Sequence, residues 1–146
     1  MHISHNACVL VADGRKMMFL RNEGDSAYPH LVVEHAEALN NPLDQDQKTD
    51  AAGRAGTMAA RGQNSFDEGD FHQMAEDRFA ADAAELLKTR ALSGSFESLI
   101  VVAPPHTLGE LRKHYHASVS DRLAGEIHKD LTGHSMSDIE AALIAA

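Results

Sequence analysis

The chain has no tryptophan, and aromatic residues make up only 5% of its 146 positions. Its core must therefore be filled by Leu, Ile, Val, Ala and Met. A single cysteine, Cys8, excludes an intrachain disulfide. Cys8 lies in the apolar run Cys8-Val9-Leu10-Val11-Ala12 and reads as a small buried hydrophobe. A lone cysteine also fits a reducing compartment. No apolar stretch approaches the roughly 20 residues that span a bilayer, so membrane insertion is not expected. Met1-His2-Ile3-Ser4-His5 lacks the basic-then-apolar layout of a secretory signal, and a cytoplasmic location is the expectation. Basic residues are also in short supply. Thirteen Lys and Arg face 22 Asp and Glu, for a formal charge of −9. A broad, sequence-independent grip on phosphate backbones is disfavoured by that balance, although a local basic cluster remains able to touch RNA.

Recognisable catalytic signatures are missing as well. There are ten histidines, yet no His-x-x-x-His, no His-Glu-x-x-His and no cysteine partner. His114 and His116, two apart on a helix, point in different directions. No metal and no cofactor are expected on these spacings, short of His72, His106 and His128 converging in space. No Gly-x-Ser-x-Gly elbow occurs. Gly53-x-x-Gly56 has neither the lysine nor the preceding strand of a phosphate loop.

What is present is patterned. A hydrophobic share of 43% and a length of 146 residues suit one domain spanning 1–146 with a real core. Ala7 to Ala12 and Lys16 to Leu20 flank Asp13-Gly14, a strong hairpin signal. Leu31-Val32-Val33, within His30 to Glu34, suggests a third strand. From about 40 to 69 large apolar residues almost vanish and Gly53, Gly56, Gly62 and Gly69 accumulate, which reads as a long flexible loop. Asp70 to Arg90 has a helical stripe of Phe71, Ala75, Phe79, Ala83, Leu86 and Leu87. Leu99-Ile100-Val101-Val102 is continuous and β-branched, as in a strand buried on both faces. Thr107-x-x-Glu110 and Ser137-x-x-Glu140 resemble capping boxes opening two further helices. Leu123 to Lys129, between them, reads as an edge strand. The expected fold is α/β, in the order βββ-αβαβα, with an antiparallel hairpin opening a mixed sheet.

Three places are candidates for function. Arg15 follows the Asp13-Gly14 turn and is followed by Lys16. His106 follows Pro104-Pro105 beyond the central strand, where open α/β sheets tend to bind ligands. Arg61-Gly62-Gln63 ends the long loop. A glutamine can orient water or contact a base, but by composition alone this is a loop tip, and its candidacy rests on a resemblance.

Four phrases carry a resemblance. They are Val11-Ala12-Asp13-Gly14-Arg15; Asp70-Phe71-His72 with Glu76-Asp77-Arg78-Phe79-Ala80; Val101-Val102-Ala103-Pro104-Pro105 with Leu108-Gly109-Glu110-Leu111-Arg112; and Lys129-Asp130-Leu131-Thr132. In this order they resemble the bacterial family named "protein required for attachment to host cells". More remotely, the chain resembles the middle domain of archaeal and eukaryotic translation release factors. That resemblance implies a Gly-Gly-Gln loop, whose glutamine helps water attack peptidyl-tRNA. Here the matching position reads Arg61-Gly62-Gln63, with the first glycine replaced. The resulting expectation is a non-enzymatic binding module with a ribosome, RNA or protein partner, affecting attachment indirectly. The alternative is a peptidyl-tRNA or related ester hydrolase in which Gln63 orients water. Arg15, Arg61, Gly62, Gln63, His72 and His106 are the expected binding residues.

Overall fold

A strand with no polar position has to be covered on both faces. Cys8–Ala12 is such a strand, β1, and all five of its residues are buried. The computed structural model describes residues 1–39 and 58–146, with side chains for 1–39 and 71–146. In it β1 sits at the centre of a five-stranded sheet ordered β3-β2-β1-β4-β5. β2 (Lys16–Asn22) runs antiparallel to β1, with Ala12 opposite Met17. β3 (Leu31–Ala38) runs antiparallel to β2 along one edge. On the other side β4 (Leu99–Val102) is parallel to β1, and β5 (Leu123–Ile127) is parallel to β4 and forms the opposite edge. The edge position expected for β5 from its polar residues holds.

The hairpin forms where its sequence placed it, and its turn does not use a left-handed glycine. Among the described residues Gly94, not Gly14, is the glycine with positive φ. The Asp13 carboxylate closes the turn instead, accepting from the backbone N–H of Arg15 at 2.8 Å and of Lys16 at 2.7 Å. A Cβ at Gly14 would come 2.9 Å from the Glu76 carboxyl carbon on the main helix, so the end of that flexible side chain would have to move aside.

That helix, α1 (Met58–Leu92), starts well before the Asp70 expected from the sequence. Residues 58–69 of the expected loop are therefore helical, while 40–57 lie outside the described residues. Met58-Ala59-Ala60-Arg61 are strong helix formers. A glycine inside a helix costs only about 1 kcal/mol, so Gly62 and Gly69 do not break it. At 1.5 Å per residue α1 is roughly 50 Å long, against roughly 17 Å for a five-residue strand. The sheet cannot cover all of it. Phe79, Ala80, Ala83, Ala84, Leu87 and Ala91 are buried, whereas Phe71, expected in the same stripe, is 44% exposed.

Three more helices follow: α2 (Pro105–His114), the single-turn α3 (Ala117–Ser120) and α4 (Met136–Ala145). Among the described residues α3 is the one element missing from the expected order. Neither capping box forms as read. Pro104 is the N-cap of α2, Pro105 opens it, and Thr107 is buried inside it. Ser135 caps α4 by accepting from Asp138 N–H. Glu140 instead accepts from the backbone N–H of Leu31 at 2.8 Å, fastening α4 to β3.

The sheet is sandwiched. Leu10, Phe19, Leu99 and Val101 face α1 and α2, while Val9, Val11, Ile100 and Val102 face α4 and the N-terminal segment around Ile3. Alternate residues of β1 thus feed two cores. Among the described residues no helix is long and apolar enough to cross a membrane.

Candidate functional site

β1, β4 and β5 are parallel, so their carboxyl ends share one side of the sheet. The chain leaves β1 toward β2 and leaves β4 toward α2 and β5, in opposite directions along the sheet. Ligands of open α/β sheets tend to bind beyond the carboxyl ends of the strands, where such reversals occur. Pro104-Pro105 starts α2 directly after β4, which puts His106 in the first turn beyond that end of the sheet. The Asp13-Gly14 turn ends β1 beside it, and α1 passes close to both.

Packing of α1 brings Gln73, Glu76 and Asp77 here, one turn before its buried stretch. Gln73 Nε2 lies 2.9 Å from Asp77 Oδ1 and 2.8 Å from His106 Nε2. An amide nitrogen only donates, so His106 accepts on Nε2 and carries its proton on Nδ1 in this arrangement. His106 Nε2 and Asp77 Oδ1 are 3.5 Å apart. Glu110, one turn along α2 from His106, completes a cluster whose potential ligand atoms all lie within 4.8 Å of one another. Lys113 Nζ contacts Glu110 Oε1 at 2.8 Å.

The loop after β5 closes the other flank. The Thr132 hydroxyl, nearly buried, lies 2.7 Å from Asp13 Oδ2 and 3.0 Å from Asp130 Oδ1. Its one proton serves one carboxylate at a time. Asp13 therefore joins two distant segments, holding its own turn with Oδ1 and meeting Thr132 with Oδ2. Behind this edge Arg112 donates to Glu126 from Nε and Nη2, the shortest contact being 2.7 Å, which ties α2 to β5. Tyr115 O–H donates to Glu126 as well, and burial, with that carboxylate adding to it, raises its phenol above the ordinary value.

The expected site residues are brought together only in part. His106 sits beyond the carboxyl end of β4, exposed. Arg15 is exposed on the adjoining turn. His72 is half-buried on α1, with its ring edge-on to Phe71. The convergence of His72, His106 and His128 that the sequence left open does not give one ligand set among the described residues. His106 faces Asp77 and Glu110, while His128 lies 3.4 Å from Arg112 Nη2. Arg61, Gly62 and Gln63 fall within α1, and their side chains lie outside those described. Sequence reasoning missed Gln73, Asp77, Glu110 and Thr132. Gln73-x-x-x-Asp77 and His106-x-x-x-Glu110 were the available signal, each an i,i+4 pair on one helix face.

Two other features lead away from chemistry. A cleft of about 540 Å³ at the opposite end of the sheet is lined by residues 4–7, Arg21 and 94–98. Arg21 is already held there by Glu34, the Ser95 carbonyl and hydroxyl, and the Asn6 carbonyl. Cys8 is fully buried, and burial pushes its thiol up to about 11. The native thiol should therefore be almost inert to Ellman's reagent at pH 8 and react at once in denaturant. Labelling of the folded protein at the rate of a free thiol would disprove that placement.

The model of a family described as bacterial archaeo-eukaryotic release factor family 12 matches residues 6–143. No curated protein matches the chain. The family match supports the release-factor side of the resemblance and does not carry the host-attachment name.

Proposed function

Because the chain belongs to bacterial archaeo-eukaryotic release factor family 12, we propose that it is a translation-related binding module that docks on the ribosome through the carboxyl edge of its sheet. One observation carries the reading. The four phrases behind the sequence resemblance, far apart along the chain, supply the residues that meet at this edge: Asp13 and Gly14, Glu76 and Asp77, Pro104 and Pro105, and Asp130 and Thr132. Several of their polar groups are already engaged, Asp13 with Thr132 and Asp77 with Gln73. Such an edge offers a fixed shape more readily than a free nucleophile. The net charge of −9 favours a shaped contact over a general hold on RNA. Any effect on attachment to a host is then indirect, exerted through translation.

Sedimentation of cell lysates through a sucrose gradient tests the proposal. The protein is expected to travel partly with ribosomal particles. Charge reversal at the exposed Lys16 and Lys129, which flank the edge, is expected to shift it toward the free pool without altering its circular dichroism. A protein found only in the free pool across growth phases and stresses refutes the ribosomal reading. Peptide release from loaded ribosomes, abolished by Gln63→Ala with the fold intact, would replace it with the hydrolase reading.

A further inference from the structure

We propose that Asp77, His106 and Glu110 form a binding site for a zinc-like divalent transition-metal ion that clamps α1 to α2. The proposal does not depend on the ribosomal reading. Two helices packed against one another each present one face. α1 offers Gln73 and Asp77, and α2 offers His106 and Glu110, both at i,i+4 spacing. Side chains at that spacing project side by side, so the two pairs meet around one point. The separation of His106 Nε2 and Asp77 Oδ1, 3.5 Å, matches two ligands on a tetrahedral ion. Bonds of about 2.1 Å place such ligands about 3.4 Å apart. The third carboxylate is within reach, since all three ligand atoms lie inside 4.8 Å.

A second observation marks where the ion would sit. The Gln73 amide nitrogen is directed at both His106 Nε2 and Asp77 Oδ1, at 2.8 and 2.9 Å. Two lone pairs from different helices converge on one electropositive group. A cation would take over that role, with the Gln73 amide turning aside. His106 accepts on Nε2 in this arrangement, which is the tautomer that ligates through that atom. An imidazole with two carboxylates suits zinc and its neighbours in the first transition row better than magnesium or calcium, which prefer oxygen alone. Lys113 on Glu110 Oε1 is the competing cation and limits the affinity.

The test uses untagged full-length protein stripped with a chelator. Titration with Zn²⁺ by calorimetry is expected to show a tightest site of one ion per chain, together with a rise in Tm. Co²⁺ should give visible d–d absorption at the same stoichiometry. Asp77→Asn and His106→Gln, both at solvent-accessible positions, should each weaken Zn²⁺ by at least about tenfold and remove the Tm rise, because even the loss of an outer partner costs that much. His128→Gln should leave the affinity unchanged, separating this site from adventitious histidine binding. Equal Zn²⁺ affinity in wild type, Asp77→Asn and His106→Gln overturns the proposal, as does the absence of any Zn²⁺-dependent Tm change.

Discussion

Asn22→Leu is expected to destabilise the fold by about 3 kcal/mol or more, although leucine is nearly the same size. The Asn22 side chain is fully buried. Its amide nitrogen lies 3.0 Å from the Ile3 carbonyl, 3.2 Å from that of Ser4 and 3.3 Å from that of Asp25. Its oxygen accepts from the backbone N–H of Gly24 at 2.9 Å and of His30 at 2.8 Å. One side chain thus satisfies backbone groups on three segments: the N-terminal arm, the start of the β2–β3 connection and its end. Leucine strips this partner from the Ile3 carbonyl and from the Gly24 and His30 N–H groups, while the Ser4 carbonyl keeps the N–H of Ala7. Each stranded buried group costs about 1–3 kcal/mol. Urea unfolding should show a lower midpoint with an unchanged slope. Tm should fall on the order of 10 °C for a chain of this size. A loss below about 1 kcal/mol would mean that water replaces the amide, and that Asn22 does not organise these segments.

Phe19→Ala is expected to cost about 3–5 kcal/mol, the range for emptying a buried aromatic site. Phe19 is fully buried on the α1 side of β2. Its ring centroid is 5.9 Å from that of Phe96, tilted by 49°, and the Arg90 guanidinium stands 4.3 Å from the ring centre. The substitution therefore removes volume, an aromatic pair and a cation–π contact together. Arg90 also bonds Glu34 on β3 at 3.3 Å, so the ring helps to hold α1 to the sheet edge. Phe19→Leu fills much of the cavity and should recover a large part of the loss. If the leucine and alanine variants unfold at the same denaturant concentration, the site collapses around either residue and the packing account is wrong.

The fold was legible where local pattern and burial agree. The continuous apolar run at Leu99–Val102 reads as a strand covered on both faces, and the apolar run ending at Leu20, across Asp13-Gly14 from β1, suits the return strand of that hairpin. Legibility failed where several local signals compete for one boundary. Ser135 and Ser137 both precede an acid by three residues, and only the placement of Ile139 and Leu143 in the core decides between them. Gly62 and Gly69 read as breakers because composition does not reveal that a long alanine-rich helix carries them. At the site, His106 was legible from its position after a buried strand. Its partners were not. Gln73 and Asp77 belong to a helix whose orientation over the sheet is fixed by Phe79, Ala83 and Leu87, and no spacing rule links 77 to 106. Thr132 meets Asp13 only because β5 is parallel to β4 and β4 to β1.

That parallel centre has a consequence in time. β1 pairs with β4 at Cys8 and Leu99, across roughly ninety residues of intervening chain. During synthesis β1 can close its hairpin with β2 at once, but its other edge has no partner until β4 emerges. At about 5–20 residues per second that wait is roughly 5–20 s. Through it the nascent chain displays an apolar strand edge, the feature most prone to pairing with a wrong neighbour. The same non-local pairing makes folding intrinsically slow. The step that completes the central sheet is therefore the vulnerable moment in this protein's biogenesis.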